Sequence, residues 1–129
     1  GLAMFGRRTS RTVNQAIDLF QRAVARDPRF ARAQASLALA TASLPYYEPG
    51  TTRAIFPRVM AAAQEAIALD STVAEAWGAI AAAQMNIYVN READANYRRA
   101  QALDSSVAIL WGWHALNLMH MGRLDEARE

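Results

Sequence analysis

Apolar side chains recur every three to four residues along most of this chain, interrupted at intervals by aspartate, proline and glycine. Val13, Ala16, Ile17, Phe20, Ala23 and Val24 share one face of a helix over 11–26. Pro28 stops that helix, because proline donates no N–H and its ring clashes with the preceding turn. Phe30, Ala33, Leu37 and Ala40 are in phase for a second helix over 30–43. Two prolines and a glycine then make Leu44–Thr52 a loop. Thr51 or Thr52 stands ready to cap the next helix, which runs to about Leu69. Pro57 either kinks that helix or sits in its first turn. Helices over 73–87, 90–103 and 107–121 complete the pattern. Gly122-Arg123 reads as a turn and residues 124–129 as the start of another helix. At the other end, residues 1–5 read as the tail of a helix and Gly6–Ser10 as a turn, with Thr9 or Ser10 as N-cap. The expectation is a helical domain truncated at both ends.

Three helices close on nearly the same words: Ala25-Arg26-Asp27-Pro28, Ala68-Leu69-Asp70-Ser71 and Ala102-Leu103-Asp104-Ser105. Their aspartates lie 43 and 34 residues apart, and the longer interval exceeds the shorter by the nine residues of 44–52. A fixed period of about 34 residues is the mark of a helix–turn–helix repeat. In that frame Ala16-Phe20-Ala23-Pro28 recurs as Ala93-Tyr97-Ala100-Ser105, with Val59-Ala63-Ala66-Ser71 as a degenerate middle copy. Trp77-Ile80-Ala81 recurs as Trp111-His114-Ala115, and Gln34-Leu37-Ala38 is an earlier version without the tryptophan. The layout resembles the tetratricopeptide (TPR) repeat, with its Trp-x2-Leu-Gly/Ala-x2-Tyr and Ala-x3-Phe-x2-Ala-x4-Pro helices. Gly122 and Ala127 stand where that pattern puts the inter-helix glycine and the next alanine. Ser71 and Ser105 replace its proline, Gln34 replaces its tryptophan, and the 44–52 loop is an insertion; the serines can still cap a helix.

The resemblance implies an all-α, TPR-type solenoid of antiparallel helix pairs with about three repeats. As a single domain over 1–129, its pairs are 11–43, 53–87 and 90–121. The segments AIDLFQRAVARDPRFARAQASLALA and MGRLDEA are similar to TPR stretches in long bacterial signalling chains, among them winged-helix transcription regulators and adenylate-cyclase-like proteins. A TPR array presents the first helices of its repeats along a concave groove. The groove residues this implies are Arg32 and Leu39, then Glu75, Met85 and Asn86, then Ile109, Trp113, Leu116 and Met119. The basic clamp that chaperone-tail-binding TPRs carry there is missing; alanine, glycine, leucine and tryptophan take its place. A helix or apolar peptide is the implied ligand, within a cytoplasmic regulatory protein.

Composition and charge narrow the alternatives. Cysteine is absent, which excludes disulfides, thiolate metal sites and cysteine nucleophiles and fits a reducing compartment. No apolar run is long enough to span a bilayer, so no membrane role is expected. All 14 basic residues are arginine, and the net charge of +2 is uneven. Residues 1–32 carry seven arginines against Asp18 and Asp27, and the rest carries seven against ten acids. The basic end is read as a solvated face with an Asp18–Arg22 pair, with nucleic-acid contact as the alternative. No phosphate loop or nucleophile–base spacing occurs, so no enzyme, metal or cofactor is expected. His114 is read as a packed core histidine with one bonded ring nitrogen, the alternative being a pH-sensitive joint.

The segment 107–121 is apolar nearly all round, with Ile109, Trp113, Leu116 and Met119 on one stripe and Leu110, Trp111, Leu118 and Met121 elsewhere. Its open side is read either as a seat for a further helix or as a binding hot spot at Trp113, and both predict self-association. Tyr46 and Tyr47 either contact a ligand or cover neighbouring helices. A spacer or self-association module with no external ligand remains the alternative to a binding scaffold.

Overall fold

The computed structural model describes residues 10–27, 29–48 and 50–128, with backbone only for Ser10, Tyr46 and residues 123–128. The readings for residues 1–9, Pro28, Pro49 and Glu129, including the Thr9 cap and Arg7 and Arg8, lie outside this set. Among the described residues six helices follow one another: α1 (Ser10–Arg26), α2 (Ala31–Ser43), α3 (Thr52–Leu69), α4 (Ala74–Asn86), α5 (Asn90–Leu103) and α6 (Ala108–Arg128). A single 3-10 turn, Leu44–Tyr46, leaves α2. The described residues contain no strand, and no helix among them is long and apolar enough to cross a membrane. Each helix packs against its neighbours in the chain, and α2 also packs directly on α4.

Small residues make that packing possible. Ala35, Ala38, Ala63, Ala66, Ala76, Ala79, Ala81, Ala93 and Ala100 are all fully buried, so backbones approach closely. Tyr97, Met85, Leu110 and Val59 are the large side chains that fill what remains. Alanine also has the highest helix propensity, so the same residue favours the helix and the contact.

The repeated aspartates build the corners. Asp70 leaves α3 with extended backbone, φ −157° and ψ 104°, and Asp104 leaves α5 at φ −155° and ψ 105°. Asp70 Oδ1 accepts from Thr72 N at 2.9 Å and Thr72 Oγ1 at 2.6 Å. Asp104 Oδ1 accepts from Ser106 N and Oγ at the same two distances, 2.9 and 2.6 Å. Asp27 makes a thinner version, its one side-chain bond among the described residues accepting Arg29 N at 3.2 Å. The neighbouring serines were expected to cap; instead their carbonyls take indole protons. Trp77 Nε1 donates to Ser71 O and Trp111 Nε1 to Ser105 O, each at 2.9 Å. The hydroxyl bonds, and then the backbone bonds, hold both carboxyls below the ordinary range of 3.8.

Two local expectations change. Gly122-Arg123 makes no turn, and α6 runs unbroken through it to Arg128. One glycine inside a helix costs only about 1 kcal/mol, and Leu124, Glu126, Ala127 and Arg128 are good helix formers. Position 88, one period earlier, does turn: Tyr88 takes φ 65°, with Tyr88 N bonded to Met85 O and Val89 N to Gln84 O. That left-handed closure holds because α5 returns to bury α4. Thr51 precedes α3 without capping it, its hydroxyl donating to Glu48 O at 2.8 Å. Pro57 lies inside α3 beyond the first turn, in a helix that continues through it.

Candidate partner-binding cleft

A cleft of about 310 Å³ opens between the first and the last of the described helices. Thr12, Val13, Ala16 and Phe20 of α1 form one wall, and Ser36, Leu39, Ala40 and Ser43 of α2 form the floor. Tyr47 follows from the turn after α2, and Ile109 and Trp113 of α6 close the far side. Among the described residues its lining includes no arginine, aspartate, glutamate or histidine. The Ser43 hydroxyl is turned back onto its own helix, donating to Ala40 O at 2.7 Å. What the cleft offers is apolar surface with a few hydroxyls at its margin, suited to uncharged side chains.

Three of the nine expected groove residues, Leu39, Ile109 and Trp113, meet here. Arg32 and Glu75 instead border a second depression, beside the corners of Asp70 and Asp104. There the Arg32 guanidinium contributes, as the smallest cause, to the lowered carboxyl of Asp104. Met85 is the clear correction: it is 1% exposed, and its Sδ accepts the Tyr97 hydroxyl at 3.7 Å. The returning α5 covers the side on which the repeat frame put an open groove. Asn86 is half-buried and away from the cleft, with an amide nitrogen that bonds nothing. Leu116 packs against the core, and Met119, 54% exposed, also lies outside the cleft.

The α1 wall and Tyr47 were not among the expected groove residues. Val13, Ala16 and Phe20 carry the helical period that usually signals a buried face. Of that face only Ile17 is fully buried, because α2 and the short turn after it are the main neighbours of α1. Sequence periodicity marks an apolar stripe without saying whether a neighbour covers it. Tyr47 lines the cleft, and the Tyr46 side chain lies outside the described set.

His114 stands on another side of α6, where it clamps α5. Its Nε2 lies 2.7 Å from Asp94 Oδ1 and its Nδ1 lies 3.2 Å from Gln101 Oε1, and the ring stacks on Tyr97 at 5.4 Å. Both ring nitrogens are engaged, one more than expected. Asp94 also holds Arg98 at 3.0 Å. Deeper along the same junction, Asn90 Nδ2 donates to Asn117 Oδ1 at 2.8 Å, and Asn117 Nδ2 donates to Asn90 O at 2.9 Å. These bonds fix the register of α5 against α6, and so the angle at which Ile109 and Trp113 reach the cleft.

No protein-family model matches this chain, and no curated protein matches it either. Its own residues and its internal echo are therefore the basis for function.

Proposed function

We propose that the chain is a TPR-type helical array that binds a protein or peptide segment, as part of a larger cytoplasmic regulatory or signalling protein of bacterial type. The cleft carries the reading: an uncharged apolar concavity assembled from both ends of the stack, lined by Phe20, Leu39, Ile109 and Trp113. The 34-residue echo of corner, tryptophan and small residues supports the repeat assignment. A few apolar side chains spaced three and four apart on a helix, or alternate ones on an extended strand, would fill a space of about 310 Å³.

Display of a random helical-peptide library against the chain tests this. Selected peptides should share apolar anchors and lose at least about tenfold in affinity against Leu39→Asp, which puts a charge into the dry floor. Arg32→Ala, outside the cleft, should leave them unchanged. Absence of enrichment over an unrelated helical protein, or equal binding to Leu39→Asp, overturns the reading and leaves the spacer.

A further inference from the structure

The flank of α6 that faces away from the other helices is apolar and open. Trp111 is 51% exposed, Leu118 46% and Met119 54%. Ala108, Gly112 and Ala115 between them are exposed too, and a Cβ on Gly112 would meet nothing. The other sides of the helix are engaged, with Leu110, Trp113, His114 and Asn117 all buried. A helix with one face in the core ordinarily turns charged residues outward, yet residues 108–122 include no aspartate, glutamate, arginine or lysine.

The layout of this face is self-complementary. At about 3.6 residues per turn, Ala115 lies on its centre line. Trp111 and Leu118 fall to one side of that line, one before Ala115 and one after it; Gly112 and Met119 fall to the other side in the same way. A two-fold axis beside Ala115 lays a second α6 antiparallel on the first and keeps each side with itself. On one side, Trp111 of each copy then meets Leu118 of the other. On the other side, Met119 of each copy enters the gap left by Gly112. Ala115 meets its own copy, and is small enough for helix axes about 8 Å apart. A parallel pair would instead crowd two leucines and two methionines into one layer, and would align the helix dipoles rather than oppose them.

We propose that this flank is the interface of a homodimer, in which α6 of a second copy of the chain packs antiparallel on α6 of the first. The contact carries no formal charge, so forming it strips no ion of its water. Two helices in register over residues 108–122 touch along about 22 Å. With Trp111, Leu118 and Met119 contributed by each copy, that contact sits near the ~1,000 Å² lower bound for a specific interface. The dimer is therefore a reversible one, and the monomer prevails in dilute solution. Ile109 and Trp113 lie on another side of α6, so both copies keep the Phe20–Leu39–Trp113 cleft, whatever that cleft binds.

The chain has no cysteine, so single cysteines report the geometry directly. Under mild oxidation Ala115→Cys should cross-link chain to chain, because its copy lies across the axis within disulfide reach. Ala108→Cys alone should link at least about tenfold more slowly, its own copy being about 20 Å away along the helix pair. A mixture of Ala108→Cys and Gly122→Cys chains should link again, since the antiparallel register brings those positions together. Sedimentation equilibrium of the unaltered chain should show monomer and dimer in exchange. Met119→Glu should weaken dimerisation at least about tenfold, and Gly112→Ala, which narrows the gap without touching the chain's own core, about threefold. Leu39→Asp should leave it unchanged, which keeps this result distinct from that of the cleft. The proposal is overturned by a monomer at millimolar concentration, or by Met119→Glu chains that dimerise as well as the unaltered ones. It is equally overturned if Ala108→Cys links to itself as fast as Ala115→Cys, since the contact is then parallel or without register.

Discussion

α4 and α6 share a framework of alanine, tryptophan, glycine and methionine at a 34-residue shift and are housed differently. Both follow an Asp-Ser-Thr/Ser-Val-Ala corner, both anchor a tryptophan to the serine carbonyl of that corner, and both continue with glycine, alanine and methionine at matching places. Yet Met85 is 1% exposed and Met119 54%. The difference follows what packs against each helix. α4 has α2, α3 and α5 around it, whereas α6 packs mainly on α5 and touches α4 lightly. In a stacked helical chain, the stability of a side chain is therefore a property of its neighbours more than of its own segment.

Methionine truncation gives the widest separation between the two helices. Met85→Ala should lower unfolding free energy by about 2–5 kcal/mol, the range for emptying a packed core site. Met119→Ala, at the equivalent exposed position, should change it by only about 0.5 kcal/mol or less. Urea unfolding of both variants measures this, and equal losses would mean that the Met119 flank is covered in solution.

Glycine replacement should go further and reverse sign. Gly78→Ala gains about 1 kcal/mol of helix propensity but drives Leu110 out of a fully buried site, for a net loss of up to about 2 kcal/mol. Gly112→Ala meets no atom and should keep the gain of about 0.5–1 kcal/mol. The same urea curves read it. Destabilisation by both substitutions would show that Gly112 also faces a neighbour.

The corners supply the smallest contrast and a pH dependence. Asp70 and Asp104 have lowered carboxyl pKa values when folded, from the Thr72 and Ser106 hydroxyls and backbone amides. A lowered folded pKa contributes stability that is complete above the ordinary value of 3.8 and is lost as pH falls through the folded value. The stability advantage of the parent chain over Asp70→Asn or Asp104→Asn should hold near neutral pH and shrink as pH is lowered from about 5 to about 3. Arg32→Ala should raise the Asp104 carboxyl slightly, because that guanidinium adds to its lowering. Carboxyl titration by NMR checks both.

Much of the fold was legible in the chain because its signals are local. Apolar periodicity placed the helices to within a few residues, and the Asp27, Asp70 and Asp104 steps marked three of the corners. The Gly122 turn was not legible, because a reversal needs a returning helix to bury, and glycine alone only permits it. The candidate cleft was half legible. Leu39, Ile109 and Trp113 came from the repeat frame, but Phe20 of α1 and Tyr47 of the turn after α2 join them only in the folded stack. Met85 failed as a groove residue for a similar reason: the Tyr97 side chain arrives from the next helix and seals it.

By itself, the sequence determined where the helices begin and where all but the last end, which faces are apolar, and that Asp70-Ser71 and Asp104-Ser105 build the same corner. These depend on interactions within about ten residues, which any copy of the segment carries with it. Tertiary structure decided which apolar faces are covered. It buried Met85 and exposed Met119, bonded both nitrogens of His114, and brought α1 and α6 to one cleft. Burial is a relation between segments distant in the chain, so the same residues at a 34-residue interval can be a core in one helix and an open surface in the next.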